Sequence, residues 1–435
     1  MSSQPSQRPL LSGAALNLGA KLLAVGLGLA ILVAVARLGP AVQGAFALFV
    51  AVESALVTLG SGLGLLLARE VSQRRGALPA GRARRLLGAA VLFGIVAAAV
   101  LAAWAVVAQA DPYRHLWLLA LVAPLTLMVP TATGLWMGQG RLLALNLPLV
   151  AAPAVVLAVL LAAATLHSST VVLVLAAWAA GKAAVGLAAG AVAWCEDRAG
   201  PAEPAPTAPR EAWRFVAVIA VTNLVSLANY RATLFLVERL RGLSEAGVYS
   251  VAVQVAELLW LLSSAVTVAA YHRIGSPDAR EAAALTLRAV RINLGATLAA
   301  APLLALLAWA LLPAVLGAAY AGAIVPLVLL LPGVAGYAAA SSLSAYYTNH
   351  RGRPQWSAGI AGLSLAITLA VAALAVPRLG APGAALATSA GYLLAIAVAL
   401  RLFLRDAGLP AAALWRGLPE RAAAGENERP ASTSR

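Results

Sequence analysis

The sequence predicts an all-α polytopic membrane protein, with about twelve transmembrane helices in two six-helix parallel repeats around a central cavity. Three observations carry this prediction: the composition, the spacing of the apolar runs, and a short echo between the two halves. Of 435 residues, 62% are hydrophobic and 11% charged, and the mean hydropathy is +0.88. Soluble domains carry about 25% charged residues. A soluble protein this apolar would lack the polar residues to cover its surface.

About 20 apolar residues, rising about 1.5 Å each, cross a hydrocarbon core of about 30 Å. On that measure helices fall near 12–36, 43–68, 86–109, 116–138, 143–165, 169–194, 213–237, 246–270, 286–312, 323–348, 357–377 and 382–404. Proline, glycine or charge marks nearly every junction, as turn chemistry requires. The first run, with Arg8, Lys21 and then Ala34-Val35-Ala36, has some features of a cleavable leader. Its apolar segment begins before Lys21 and exceeds an ordinary signal core, so it is expected to remain as the first helix.

The turn Arg37-Leu38-Gly39-Pro40-Ala41-Val42-Gln43-Gly44 joins that helix to the second. With the N-terminus inside, the cytoplasmic segments collect Arg69, Arg74, Arg75, Arg82, Arg84, Arg85, Arg141, Arg198, Arg210, Arg214, Arg273, Arg280, Arg288, Arg291, Arg351, Arg353, Arg401 and Arg405. The outer segments hold Arg37, Arg114, Arg239, Arg241 and Arg378. This asymmetry predicts both termini in the cytoplasm and a location in the cytoplasmic membrane. The Pro- and Ala-rich stretch 195–212 reads as a flexible cytoplasmic linker between an N-terminal half, 1–194, and a C-terminal half, 213–404. The polar remainder, 405–435, reads as a cytoplasmic tail.

The net charge of +15 does not indicate nucleic acid, because the basic residues sit in short loops between apolar runs, as topology signals do. Cys195 is the single cysteine, which excludes an internal disulfide and most thiolate metal sites. His115, His167, His272 and His350 lie far apart near helix ends and show no ligand spacing. No catalytic, cofactor or metal residues are assigned, and no outer loop is long enough for a soluble catalytic domain. The expectation is a protein that is not an enzyme.

The two halves echo one another. Arg37-Leu38 followed by Gly44-Ala45-Phe46 has a counterpart in Arg239-Leu240 followed by Gly247-Val248-Tyr249. Glu53 and Glu257 follow the two glycines by similar intervals. Six helices return the chain to its starting side, so such repeats are parallel, related by an axis along the membrane normal.

Five charged residues fall within predicted spans: Lys21, Glu53, Lys182, Arg231 and Glu257. Ionisable groups at that depth face protein or a water-filled cavity instead of lipid. Asn17, Lys21 and Gly28 share one helix face, and Glu53, Gly60 and Gly64 share another. The Gly60–Gly64 spacing also permits close helix approach. Helix seven has a polar sector of Asn223, Ser226, Asn229, Tyr230 and Thr233, with Arg231 at its edge. Helix eight carries Ser250, Gln254, Glu257 and Ser264, and helix ten Tyr337, Ser341, Ser344 and Thr348. Each hydroxyl has a structural alternative, a bond to its own backbone or a neighbouring helix. Lys182, beside Gly181, Gly186 and Gly190, has one as part of a packing face. Glu53 and Glu257 either neutralise Lys21 and Arg231 or couple transport to protons or cations. Pro124, Pro130, Pro148, Pro153, Pro302, Pro326 and Pro332 supply places for helices to bend.

The hairpin Ala36-Arg37-Leu38-Gly39-Pro40-Ala41-Val42-Gln43-Gly44-Ala45-Phe46-Ala47-Leu48, with Leu59-Gly60-Ser61-Gly62-Leu63-Gly64 and Arg69-Glu70 after it, resembles the polysaccharide-exporter branch of the multidrug/oligosaccharidyl-lipid/polysaccharide (MOP) superfamily, the Wzx-like flippases. The loop 349–354 is similar too. Gln43 stands where that family usually has an aromatic residue. The resemblance implies a flippase that moves an undecaprenyl-pyrophosphate-linked oligosaccharide to the outer leaflet by alternating access, for cell-surface polysaccharide synthesis. It implies membrane lipids and polysaccharide-assembly proteins as further partners, and no nucleic acid. Lys21, Arg231 and Lys182 would receive the pyrophosphate, with Asn17, Asn223 and Tyr230 among the groups suited to sugar hydroxyls.

Two other readings remain open. A MATE-like drug or cation antiporter of the same superfamily would depend on Glu53 and Glu257. A membrane glycosyltransferase or polymerase would be expected to carry a large outer loop with acidic or arginine clusters, which this sequence lacks.

Overall fold

The computed structural model describes residues 8–108, 110–165, 170–197, 207–274, 278–353 and 355–416. His167, the middle of the expected linker, Pro354 and the tail beyond 416 lie outside the described residues, as do the side chains of His272 and Asn349. The described chain is helical almost throughout and contains no strand. Twelve helices in it are long and apolar enough to span a membrane: α1 (Ala15–Ala36), α2 (Pro40–Gln73), α3 (Arg82–Val107), α4 (Trp117–Gly138), α5 (Leu142–Ala163), α6 (Val171–Glu196), α7 (Pro209–Arg241), α8 (Leu243–Thr267), α9 (Ala279–Leu316), α10 (Ala318–Thr348), α11 (Gln355–Leu379) and α12 (Ala381–Asp406). Leu92, Ile95, Val96 and Val100 on α3, and Leu303, Leu306 and Trp309 on α9, point outward. Such surfaces suit lipid. The protein is a multi-pass membrane protein.

The number and order of the helices follow the sequence expectation, but their ends overrun it. A hydropathy measure stops near the first charge, at residue 68 for α2 and 286 for α9. The backbone ladder continues through Arg69, Glu70 and Val71 in one case and through Arg280 and Glu281 in the other. Helical backbone bonds are satisfied whether the side chains reach lipid or headgroups. Interruptions occur inside three spans. In α4 the break at Leu127 lies between Pro124 and Pro130, where a missing backbone donor loosens the turn. In α8 it falls at Leu258, directly after Glu257, where the chain tightens to Leu258 N–H···O Val255 (3.2 Å) and Leu261 N–H···O Leu258 (3.1 Å). The α10 span starts as a 3₁₀ turn, breaks at Ala338 and Ala339, and runs into a π turn over Tyr346–His350.

The chain packs as two compact units, Met1–Val251 with Leu311–Gly322, and Ala252–Ala310 with Ala323–Arg435. The first unit has two apolar clusters. One gathers Ile31, Val35, Phe46, Phe49, Leu119, Val156 and Leu175. The other gathers Leu63, Leu66, Leu67, Leu87, Leu135 and Trp136 towards the arginine-rich ends of α2 and α3. Helices α2 and α4 cross backbone to backbone at Gly64 and Gly134, where a Cβ on either would overlap the other chain segment. The close approach expected of Gly64 is thus realised, whereas Gly60 faces only the Leu127 side chain.

Polar contacts close the ends of this unit. Arg82 donates from Nε to Glu70 Oε2 (2.7 Å) and from Nη2 to Oε1 (2.8 Å), with both side chains buried. Asp197 accepts from the backbone N–H groups of Gly81 (2.8 Å) and Arg84 (2.9 Å), so a residue just after α6 caps the start of α3. Glu196 accepts from Trp136 Nε1 (3.1 Å) and pairs with Arg141 (2.8 Å). At the other ends, Arg37 Nε donates to the Val315 carbonyl (3.0 Å) and the Tyr320 hydroxyl to the Ala36 carbonyl (3.1 Å). Tyr113, in the turn before α4, donates to Glu238 (2.7 Å). Burial, then the nearby carboxylate, push the Tyr113 phenol above its usual range.

The second unit is built around Leu287, Val290, Leu343, Tyr346, Ile396 and Phe403. A buried polar chain runs through it: Thr267 Oγ1 lies 2.7 Å from Ser341 Oγ, Asn293 Nδ2 donates to Ser342 Oγ (2.9 Å), and Thr297 Oγ1 donates to the Ala335 carbonyl (3.1 Å). Ser341, one of the polar stripe on helix ten, therefore bonds a neighbouring helix. Tyr337, another member, stacks on Tyr392 with ring centroids 4.5 Å apart.

Candidate functional site

Seven of the eight residues singled out in the sequence, Asn17, Lys21, Glu53, Lys182, Asn223, Tyr230 and Arg231, belong to the first unit; Glu257 belongs to the second. The central feature of the first unit is an ion pair between α2 and α6. Glu53 is 3% exposed, and its Oε1 lies 3.4 Å from Lys182 Nζ. The same oxygen makes no aligned hydrogen bond, so the contact is Coulombic in character. The Lys182 side chain is 27% exposed against 4% for that of Glu53. Lysine is therefore the more accessible member of the pair, and the carboxylate is enclosed.

Local geometry produces this arrangement. Trp178 and Lys182 are four residues apart on α6 and share a face, which places the ammonium 4.8 Å from the indole centroid. That distance is within the range of a cation–π attraction. Phe46 of α2 meets the Trp178 ring edge-on, at 5.3 Å and 85°. Behind Lys182, Gly181 abuts Val156, Gly186 abuts the Leu125 backbone and Gly190 abuts Met128. The glycines form the packing face, and Lys182 leaves it to meet Glu53. Trp178 Nε1 and Thr131 Oγ1 are buried without a hydrogen-bond partner among the described residues.

The expected pairing of Glu53 with Lys21 is corrected by this geometry: Glu53 is held by Lys182. The helix that supplies the cation is α6, far along the chain, instead of the neighbouring α1. Lys21 and Asn17 are half-buried on α1, and among the described residues Lys21 makes no ion pair. Asn223 donates from Nδ2 to Ser61 Oγ (3.0 Å), a tie between α7 and α2. Tyr230 and Arg231 are half-buried on α7 and are engaged by neighbouring groups, as is Glu257. Among the described residues, no three His, Cys, Asp or Glu side chains converge as metal ligands.

The echo between the halves has a structural counterpart. Gly39, before α2, has φ 112° and ψ 159°, and Gly242, before α8, has φ 91° and ψ 174°. This region of backbone space is essentially reserved for glycine. Gly44 and Gly247 follow these residues by the same interval, and their helices meet there. A Cβ on Gly44 would overlap the Leu243 carbonyl and stand 3.0 Å from Gly247 N. A Cβ on Gly247 would overlap the Pro40 carbonyl and stand 2.9 Å from Gly44 N. Each glycine therefore meets the residue four before the other, the reciprocity that a local two-fold axis produces. Sequence reading did not anticipate that the two copies touch. Gln43 is fully buried beside this crossing and donates from Nε2 to Ser250 Oγ (3.2 Å). Its substitution for the aromatic residue of the resembled loop buries an amide whose Oε1 has no partner among the described residues.

This twelve-helix arrangement is the fold of MOP superfamily transporters. An inward-facing structure of a multidrug resistance MATE family transporter of the MOP superfamily matches with a TM-score of 0.73 and 16% identity, over 91% of this chain and 98% of that one. A MOP superfamily transporter from Pyrococcus furiosus, described as having a binding pocket of reverse polarity that suggests a different function, matches with a TM-score of 0.65 and 15% identity, over 92% and 95% of the two chains. An outward-facing MATE transporter structure gives a TM-score of 0.64 at 16% identity, over 93% and 95%. Neither a protein-family model nor a curated protein matches the chain. At these identities the likeness establishes the fold.

Proposed function

We propose that the protein is an alternating-access transporter for an anionic, lipid-linked oligosaccharide of the undecaprenyl-pyrophosphate type. It would move this cargo across the cytoplasmic membrane for cell-surface polysaccharide synthesis. The observation that carries the reading is the Glu53–Lys182 pair, in which the carboxylate side chain is buried and the lysine side chain is the more exposed member. Half-buried Lys21 adds a second cation in the same unit. An ammonium at membrane depth attracts a pyrophosphate, because charge-assisted bonds strengthen where water is scarce. Asn17, Asn223 and Tyr230 offer amide and hydroxyl groups suited to sugar hydroxyls. The Pyrococcus furiosus neighbour supports the reading only by its description, which allows this fold a pocket of altered polarity. In this account both termini are cytoplasmic, 1–194 and 213–404 act as the two halves, and polysaccharide-assembly proteins are the natural partners.

A MATE-like cation antiporter is the second reading. What favours it is the buried Glu53 itself, since protonating it would release Lys182 and couple the pair to a proton gradient.

One experiment separates the two. In proteoliposomes, Lys182→Glu is expected to lower translocation of a fluorescent undecaprenyl-pyrophosphate-linked disaccharide by more than about tenfold, with Lys182→Arg retaining most of it. Full flipping by Lys182→Glu would overturn the anionic cargo. Proton-driven ethidium export that stops in Glu53→Gln yet survives in Lys182→Ala would establish the antiporter.

A further inference from the structure

A cavity of about 170 Å³ lies within the first unit, between the arginine-rich ends of α2 and α3 and the start of α7. Its floor is apolar, formed by Leu63, Leu66, Leu86, Ala89 and Val216, and Arg85 and Trp213 stand at its rim. Arg82 also borders it, but its guanidinium is locked onto Glu70 and serves as wall. Arg85 is exposed, and the Trp213 indole is 58% exposed. The helix ends around the opening carry Arg69, Arg82, Arg85, Arg210 and Arg214 against Glu70 and Glu211, a clear excess of positive charge.

These features combine a hydrocarbon-lined trough with a cationic, indole-bearing rim. Tryptophan favours the headgroup level of a bilayer. A guanidinium binds phosphate oxygens in fork geometry, and basic pockets between transmembrane helices take anionic headgroups. The trough is too small for a glycan and suits part of one hydrocarbon chain. The helices around it cross the membrane, so membrane lipid is the ligand available to it.

We infer that this trough is a specific site for one anionic glycerophospholipid, with an acyl chain against Leu63, Leu86 and Val216 and the phosphate on Arg85. The site is separate from the Glu53–Lys182 pair and does not depend on what the protein transports.

The test is native mass spectrometry of the full-length protein in detergent, titrated with dioleoylphosphatidylglycerol and, separately, with dioleoylphosphatidylcholine. One phosphatidylglycerol is expected to remain bound at concentrations at least tenfold below those needed for phosphatidylcholine. Arg85→Glu removes the cation, and Ala89→Trp fills the trough without changing charge. Each is expected to lower phosphatidylglycerol occupancy at least tenfold, and Trp213→Ala by a smaller factor. Melting temperature measured without lipid confirms that each variant is folded; should Ala89→Trp fail there, Arg85→Glu and the surface variant Trp213→Ala decide. Equal retention of the two lipids would overturn the site, as would undiminished phosphatidylglycerol binding by the folded variants.

Discussion

Glu70→Gln is expected to destabilise the protein by about 3–5 kcal/mol, because it leaves the Arg82 guanidinium buried without a counter-charge. The wild-type pair is bidentate, with bonds of 2.7 and 2.8 Å and side chains 0% and 9% exposed. A glutamine offers one acceptor oxygen and no charge, so one donor of the fork loses its partner and the whole guanidinium loses its complement. Arg82→Met should cost a similar amount by stranding the carboxylate. The double variant Glu70→Leu with Arg82→Met should return to within about 1 kcal/mol of the wild type, since a buried pair replaced by apolar groups of similar volume is often neutral or better. SDS-induced unfolding in mixed micelles measures all four proteins, with Trp136 as an intrinsic reporter in the apolar cluster that also holds Val71 and Ala83, the chain neighbours of the pair. Additive losses in the double variant would show that the two side chains are not coupled.

That pair also shows where the sequence stops being readable. Six arginines between Arg69 and Arg85 read as a topology signal, and Glu70 and Arg82 are one acid and one base within that run. Nothing in their spacing says that the turn between them, with Arg75 at φ 55° and Gly76 at φ 89°, folds back to join them. The spans were legible for a different reason. A bilayer requires every backbone group to be paired inside the segment, so length and apolarity suffice to find a helix. Helix ends were not legible, because arginine and glutamate in the headgroup zone stop a hydropathy measure but not a helix. The partner of Glu53 was not legible either. Lys21 was nearer in sequence, whereas Lys182 is brought to it by the packing of α2 and α6, which no local pattern encodes. Gly64 was legible from its spacing. The echo at Gly44 and Gly247 was visible, but not the contact between its two copies.

Gly44→Ala and Gly247→Ala are each expected to cost about 2–3 kcal/mol, at the upper end for overpacking a close contact. Alanine at Gly88 or Gly295 should be neutral or stabilising by up to about 1 kcal/mol, because nothing lies within 4 Å of a Cβ there and alanine is the better helix former. The asymmetry follows from what each new methyl meets. At the crossing it meets the carbonyls of Leu243 and Pro40, backbone atoms fixed in the first turns of α8 and α2, which cannot rotate aside as a side chain can. Because the two contacts are reciprocal, the first alanine forces the helices apart and partly makes room for the second. The double variant should therefore lose less than the sum of the singles, by about 1 kcal/mol or more. Leucine at either position requires a wider separation and is expected to prevent recovery of folded protein from the membrane. Unfolding of the singles and the double in mixed micelles, beside the Gly88 and Gly295 controls, measures both the cost and the coupling. If alanine at Gly44 and Gly247 behaved like alanine at Gly88, the two copies of the motif would not be held in contact, and their matching φ values at Gly39 and Gly242 would reflect turn chemistry alone.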